Sequence, residues 1–182
     1  SNTQFAILGL GVAYKRGIKI PVEVWTEIMD HFIETQEADG PEVKSGMKLK
    51  EPEQDPRARR SRTAVIKHAE KSWAPENAKV FARGWSYQDV KGENKKGVTF
   101  NMSCAGASSV LVAYDALKQL RGFRGPKREA LEKSIRDGVG KLITYMNGKN
   151  NWTWGGLGGC YYSLYSLEKV GDIGGIEKFG SF

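Results

Sequence analysis

The apolar positions of the first 36 residues follow two different helical patterns. From Thr3 to Arg16, apolar residues fall on most sides of a helical projection and are mixed with Gly and Ala, which predicts a closely packed helix that ends at Gly17. After Pro21, apolar residues recur at steps of three and four, with acidic residues mostly on the opposite side. This second pattern predicts an amphipathic helix whose first turn contains Pro21.

Both patterns return in the second half of the chain. Ser103 to Leu120 is small and apolar, and Pro126 begins another amphipathic stretch. Cys160 to Val170 predicts a third apolar helix that ends at Gly171. We expect residues 173–182 to form only the start of its amphipathic partner, so the third pair is predicted to be truncated.

Repeated pairs of one apolar and one amphipathic helix predict an inner and an outer layer, because only the amphipathic helix has a face that water can wet. Residues 1–182 are therefore predicted to form one all-α domain, or part of one. Two and a half pairs leave the ends of such a stack uncovered, so we expect further pairs in the natural protein.

A charged segment, residues 37–99, interrupts the helix pairs. Within it, Glu37 to Asp55 has no periodicity and is predicted to be an exposed loop. Arg57 to Trp73 is predicted to form a short basic helix that Asp55 could cap.

The charge of the chain limits its partners only loosely. There are 28 Lys plus Arg and 21 Asp plus Glu, a formal net charge of +7, which favours anionic neighbours. The densest basic patch contains Arg57, Arg59, Arg60, Arg62, Lys67 and Lys71. No aromatic residue lies between its arginines to stack on bases, so a solvated helix face is the favoured interpretation and nucleic-acid binding is disfavoured.

Other features of the sequence exclude certain kinds of protein without assigning a function. No apolar stretch is long enough for a membrane span, and the chain begins at Ser1 without an initiator Met, so we expect that a preceding segment is missing and leave the compartment open. Cys104 and Cys160 are too few for a disulfide framework and are expected to be buried thiols. No cofactor is predicted, and the oligomeric state is left open.

Four segments carry a family resemblance: residues 3–10 (TQFAILGL), 83–87 (RGWSY), 104–106 (CAG) and 161–171 (YYSLYSLEKVG). Together with the repeated helix pairs, they resemble the prenyltransferase and squalene oxidase repeat family, which includes terpenoid cyclases and protein prenyltransferase β subunits. The resemblance implies an α/α toroid, in which inner helices ring an apolar cavity, and it covers most of the chain.

The catalytic signatures of that family are not found in this sequence. Squalene-type cyclases use an Asp of an Asp-x-Asp-Asp segment as the acid, and no such Asp cluster occurs here. Protein prenyltransferases hold zinc with an Asp, a nearby Cys and a distant His, whereas His31 and His68 both precede the cysteines. We therefore predict no metal site, assign both histidines structural roles, and leave open whether the protein is an enzyme.

Two aromatic and glycine-rich segments have both a structural and a functional interpretation. Trp152 and Trp154 precede the glycine-rich run 155–159 and could line a ligand pocket, although a structural brace at a helix entry is favoured. The run lacks the Lys and Ser/Thr of a P-loop, so nucleotide binding is discarded. Residues 83–87 are likewise interpreted as a brace.

The predicted inner helices supply the remaining candidates. Asp115 is the candidate general acid, because burial beside a cavity would raise its pKa, although a solvent-exposed helix end is the favoured position. Tyr114 and Tyr161 are candidate ligand-binding residues together with Trp152 and Trp154. The predicted apolar cavity is lined by five residues: Phe5, Leu8, Tyr114, Trp154 and Tyr161.

These expectations lead to two functional hypotheses. By resemblance, the protein holds an isoprenoid or other lipid in an apolar cavity. The alternative is a non-catalytic helical scaffold that binds a protein through its charged segment or concave face. An open apolar cavity favours the first hypothesis, and tightly filled inner helices favour the second.

Overall fold

The computed structural model describes residues 2–44, 47–50, 73–74, 79–87, 97–147 and 156–180, with only the backbone given for 156–160. The described residues are mainly helical, which confirms the helical class, but short strands are present as well. The elements are α1 (Asn2–Lys15), α2 (Val22–Glu34), β1 (Glu42–Val43), β2 (Met47–Leu49), β3 (Val80–Phe81), α3 (Phe100–Leu117), α4 (Pro126–Asn147), α5 (Gly156–Gly174) and β4 (Ile176–Phe179).

Helix α3 is the centre of the structure and contacts each of the other four helices. Fifteen of its 18 residues are buried. Its N-cap is Thr99, whose side-chain oxygen accepts a hydrogen bond from the Met102 backbone N–H at 3.2 Å. Small residues let its neighbours approach closely, and Gly106 lies directly against the indole ring of Trp85.

Helices α1, α3 and α5 run in the same direction. Along α1 and α3, Gln4 contacts Ser108, and Lys15 near the end of α1 contacts Asp115 near the end of α3. Along α3 and α5, Ser163 hydrogen-bonds to Asn101, and Gly174 lies close to Leu111. These three helices therefore form one parallel layer.

Helices α2 and α4 run against that direction and contact each other as well as α3. Trp25, near the start of α2, packs edge-on against Tyr14, near the end of α1. In α4, Glu132 pairs with Tyr114 near the end of α3, and Tyr145 packs edge-on against Phe100 at its start. Pro126 is the first residue of α4, as the sequence predicts. The apolar helices predicted from the sequence thus run in one direction, and the amphipathic helices run in the opposite one.

The prediction for the end of the chain is wrong. Helix α5 begins at Gly156 rather than Cys160 and continues through Gly171 to Gly174. Gly175 then adopts a φ of +56°, a conformation that favours glycine and ends the helix. The residues that follow form β4, which pairs antiparallel with β2, instead of starting a truncated helix.

The segment 37–55 is not simply an exposed loop where it is described. Glu37 is buried, β1 pairs with β3, and β2 pairs with β4. Further along, Trp73, Val80 and Trp85 are all buried in the core. The prediction failed because the pairing partners of these short strands are distant in sequence. The proposed basic helix lies outside the described residues, except for Trp73.

Helix α1 is also less enclosed than predicted. Its buried residues are Gln4 and Ile7, while Phe5 is 50% exposed and Val12 is 61% exposed. One side of α1 lies on α3, and another side has no helix against it among the described residues.

Candidate functional site

A groove of about 560 Å³ runs between α1 and α5, with α3 as its floor. We call it the α1–α5 groove. All of its lining residues belong to these three helices: Phe5, Leu8, Gly9, Gly11, Val12, Tyr14 and Lys15 from α1, Val112 and Asp115 from α3, and Tyr165, Lys169, Asp172 and Ile173 from α5. The volume is in the range of sites that hold small organic ligands, which is roughly 300–1,000 Å³.

One end of the groove is aromatic. Phe5 stacks on Tyr165 with ring centroids 5.7 Å apart and an interplanar angle of 29°. The Phe5 ring is also tilted against Tyr162 at 6.1 Å. Phe5 and Tyr165 line the groove and form what we call the aromatic end, which offers ring faces and edges to an apolar ligand, and Tyr162 packs against Phe5 without lining the groove.

The middle of the groove depends on two glycines of α1 with different surroundings. A methyl group on Gly11 would lie 2.9 Å from Cγ1 of Val112, so glycine here allows α1 to approach α3. A methyl group on Gly9 would meet no heavy atom within 4 Å. Gly9 therefore faces open space in the groove, beside Leu8 and Val12.

The other end of the groove carries charge, and we call it the charged end. It comprises Lys15, Asp115, Lys169 and Asp172. Lys15 Nζ lies 3.5 Å from an Asp115 carboxylate oxygen, and Lys118 also pairs with Asp115. Lys169 Nζ lies 4.0 Å from Asp172 and 5.2 Å from the centroid of the Tyr165 ring.

The pKa of Asp115 moves in the direction opposite to that of a general acid. Burial raises this pKa, but the hydrogen bond and attraction from Lys118, followed by the attraction from Lys15, outweigh burial and lower it. Asp115 lies in the last turn of α3, as the favoured interpretation has it, and its side chain is 31% exposed while it lines the groove. Its lowered pKa keeps it an ionised carboxylate near neutral pH, so it is suited to pairing with a cation or accepting a hydrogen bond.

A buried polar network fixes the aromatic end. Gln4 Nε2 donates to Ser108 Oγ at 2.9 Å, and Gln4 Oε1 accepts from the Tyr162 hydroxyl at 2.7 Å and from Ser166 Oγ at 3.3 Å. Burial raises the pKa of the Tyr162 hydroxyl, which keeps it a donor. Because the network connects α1, α3 and α5, it sets the separation of the groove walls.

Two other sequence-predicted site residues, Tyr114 and Tyr161, do not line the groove. Tyr114 is buried on the side of α3 that faces α4, and its hydroxyl donates to Glu132 at 3.2 Å. Tyr161 is 73% exposed and does not line the groove. Trp152 and Trp154 lie outside the described residues, as do His68 and the arginine-rich patch. Of the residues predicted to line the cavity, the structure places Phe5 and Leu8 in the α1–α5 groove.

The segment around Arg83 has the geometry of a brace. Arg83 Nη1 lies 3.0 Å from the fully buried Asp137 carboxylate, and Trp85 Nε1 donates to the Phe32 carbonyl at 2.7 Å. Nearby, the Glu37 carboxylate accepts from the Gly84 backbone N–H and from Lys141 Nζ, each at 2.8 Å. These contacts tie the segment to α2 and α4, away from the groove.

The described residues offer little for metal or thiol chemistry. They contain no cluster of three or more His, Cys, Asp or Glu side chains placed to hold a metal ion. Cys104 is a buried free thiol, as predicted, and burial raises its pKa well above the ordinary value. His31 is exposed on α2 with its ring edge-on to Phe32. None of the helices in this part of the chain combines the length and apolar character needed to cross a bilayer.

Sequence reasoning named Phe5 and Leu8 as cavity residues and Asp115 as a candidate beside a cavity, but it missed the rest of the groove. Gly9 and Val12 follow Phe5 at helical spacing, and Lys169 and Asp172 follow Tyr165 by four and seven residues. That spacing is the signal that could have placed them on one face of each helix. Comparison of the chain with protein-family models, curated proteins and solved structures found no significant match.

Proposed function

We propose that the protein binds the apolar chain of an isoprenoid or other lipid in the α1–α5 groove. The observation that carries this proposal is a groove of about 560 Å³ whose walls are mainly apolar and aromatic side chains. Phe5 and Val12 keep half or more of their surface exposed there, and covering them with a hydrocarbon chain would remove apolar area from water at about 25 cal/mol per Å².

We further propose that the chain is part of an α/α toroid related to the prenyltransferase and squalene oxidase repeat family. The parallel layer of α1, α3 and α5, backed by α2 and α4, supports this proposal, as do the sequence segments that resemble the family. In such a fold the α1–α5 groove would face the interior, where the inner helices surround a cavity.

The test is native mass spectrometry of the purified protein, with organic extraction of any bound molecule and titration with farnesol. We expect either a co-purified lipid or a one-to-one farnesol complex. The groove-filling variant Gly9→Phe should weaken farnesol binding at least tenfold, because its ring would occupy the space beside Leu8 and Val12.

Gly9→Ala is the matched control, because its methyl group meets no neighbour and leaves most of the groove open. It should bind farnesol as the unchanged protein does. Absence of any lipid and of farnesol binding, or equal binding by Gly9→Phe, would contradict the proposal.

The second candidate is a non-catalytic scaffold that binds a protein. Tyr161 and Leu164 of α5 favour it, since both are exposed large side chains that do not line the groove. In the same titration, a scaffold would bind no lipid and would not respond to Gly9→Phe.

A further inference from the structure

We propose that the α1–α5 groove selects a lipid with an uncharged polar head, such as an alcohol, over the phosphate or diphosphate ester of the same chain. This inference rests on the proposed function and concerns the charged end of that groove. The apolar chain would lie toward the aromatic end, and the head would meet Lys15, Asp115, Lys169 and Asp172.

The lysines of the charged end are already paired with carboxylates. Lys15 lies 3.5 Å from Asp115, which also takes Lys118. Lys169 lies 3.0 Å from Glu168 and 4.0 Å from Asp172. An anionic head could use these lysines only by displacing a carboxylate that remains nearby, so its net gain in electrostatic energy would be small.

Two further features oppose a negative charge at this position. The carboxylates of Asp115 and Asp172 line the groove and already hold the nearby ammonium groups, Asp172 also pairing with Lys50 at 3.4 Å, so a phosphate would compete with both carboxylates for the same cations. In addition, α1, α3 and α5 run parallel, so their C-terminal ends meet at the charged end. Each helix C-terminus carries a partial negative charge that disfavours an anion.

An uncharged hydroxyl meets none of these obstacles. It can donate to the Asp115 or Asp172 carboxylate and accept from a lysine without separating an existing pair. The lowered pKa of Asp115 keeps that carboxylate ionised, so a donor hydroxyl would form a charge-assisted hydrogen bond.

The experiment compares farnesol with farnesyl diphosphate, which share one hydrocarbon chain and differ at the head. Affinities are measured for the whole protein by native mass spectrometry and by competition. We expect farnesol to bind at least tenfold more tightly than the diphosphate. Equal or tighter binding of the diphosphate overturns the inference while leaving the proposed lipid site intact, whereas failure of both probes to bind overturns the proposed function and this inference with it.

The double variant Asp115→Asn with Asp172→Asn tests the cause. Both side chains are partly exposed, so the fold should tolerate the change, and the single variant Asp172→Asn provides a second measurement if the double variant is unstable. Removing the carboxylates takes Asp115 away from Lys15 and Asp172 away from Lys50, and it leaves Lys169 its pair with Glu168. The preference for farnesol should therefore fall at least fivefold through tighter diphosphate binding. A ratio that stays the same in both variants contradicts the assignment of the charged end as the selecting element.

Discussion

Helices α3 and α1 have similar patterns of apolar and small residues but very different surroundings. Both mix apolar residues with Gly and Ala on most sides of the helix. In α3, 15 of 18 residues are buried, whereas the buried residues of α1 are Gln4 and Ile7. The two helices run parallel and in contact, so the difference comes from what lies on their other sides.

The comparison shows that an apolar pattern on most sides predicts a helix but not how many neighbours enclose it. Helix α3 has α1 and α5 beside it, and α2 and α4 behind it. Helix α1 contacts α3 and leaves Phe5 and Val12 facing the groove. The exposed apolar surface of α1 is therefore available to a ligand. The apolar side chains of α3 are buried instead and contribute to the stability of the fold.

The largest expected difference between the two helices is in the stability lost when an apolar side chain is truncated to alanine. Leu117 of α3 is almost completely buried, so Leu117→Ala should lower the free energy of unfolding by about 2–5 kcal/mol through lost burial and a new cavity. Val12→Ala in α1 should change it by less than about 0.5 kcal/mol, because that side chain is mostly exposed. Urea unfolding followed by circular dichroism measures both. Equal losses in the two variants would mean that α1 is as enclosed as α3.

The next difference is in the sign of the stability change when a glycine is replaced by alanine. A methyl group on Gly106 of α3 would lie 2.2 Å from Cδ2 of Trp85, whose ring also packs against Gly138 and is held by its hydrogen bond to Phe32. Gly106→Ala should therefore destabilise by about 1–3 kcal/mol or more. Gly9→Ala in α1 should instead stabilise by about 0.5–1 kcal/mol, because it gains helix propensity in open space.

The same unfolding measurement compares the two alanine variants directly. A loss of stability in Gly9→Ala would show that the groove wall is filled at that position. No loss in Gly106→Ala would show that Trp85 can move away from α3. Either result would contradict the conclusion that α3 is enclosed while α1 is open on one side.

The helices were largely predictable because their signals are local. The steps of three and four from Val22 onward, Pro126 at the start of α4 and Gly17 after α1 all lie within a few residues of the structure they specify. The strands were missed because β4 pairs with β2, more than a hundred residues earlier in the chain. Pairing between segments of two to four residues leaves almost no periodicity to detect.

The candidate site was predictable only in part for a related reason. Phe5 and Leu8 could be assigned to a cavity from the apolar character of α1. Tyr114 was misassigned because the sequence does not show which side of a fully enclosed helix faces the groove, and in the structure it pairs with Glu132 of α4. The pKa of Asp115 is lowered mainly by Lys118, three residues further along the chain, and then by Lys15, which is brought to it by the packing of α1 on α3. Only the contribution of Lys118 is local in the sequence.

The smallest expected effect concerns that contact between the two helices. The pKa of Asp115 is lowered in the folded protein, so its carboxylate contributes stability above the ordinary carboxyl pKa, and this contribution is lost as pH falls through the lowered folded-state value. Asp115→Asn should cost less than about 1 kcal/mol at pH 7, because its pairs with Lys118 and Lys15 are both partly exposed and screened by water. The difference between the two proteins should shrink toward pH 3, where urea unfolding at a series of pH values would detect it. A difference that grows on acidification would mean that the pKa of Asp115 is raised in the folded protein. Burial, rather than the lysines, would then govern the ionisation of Asp115.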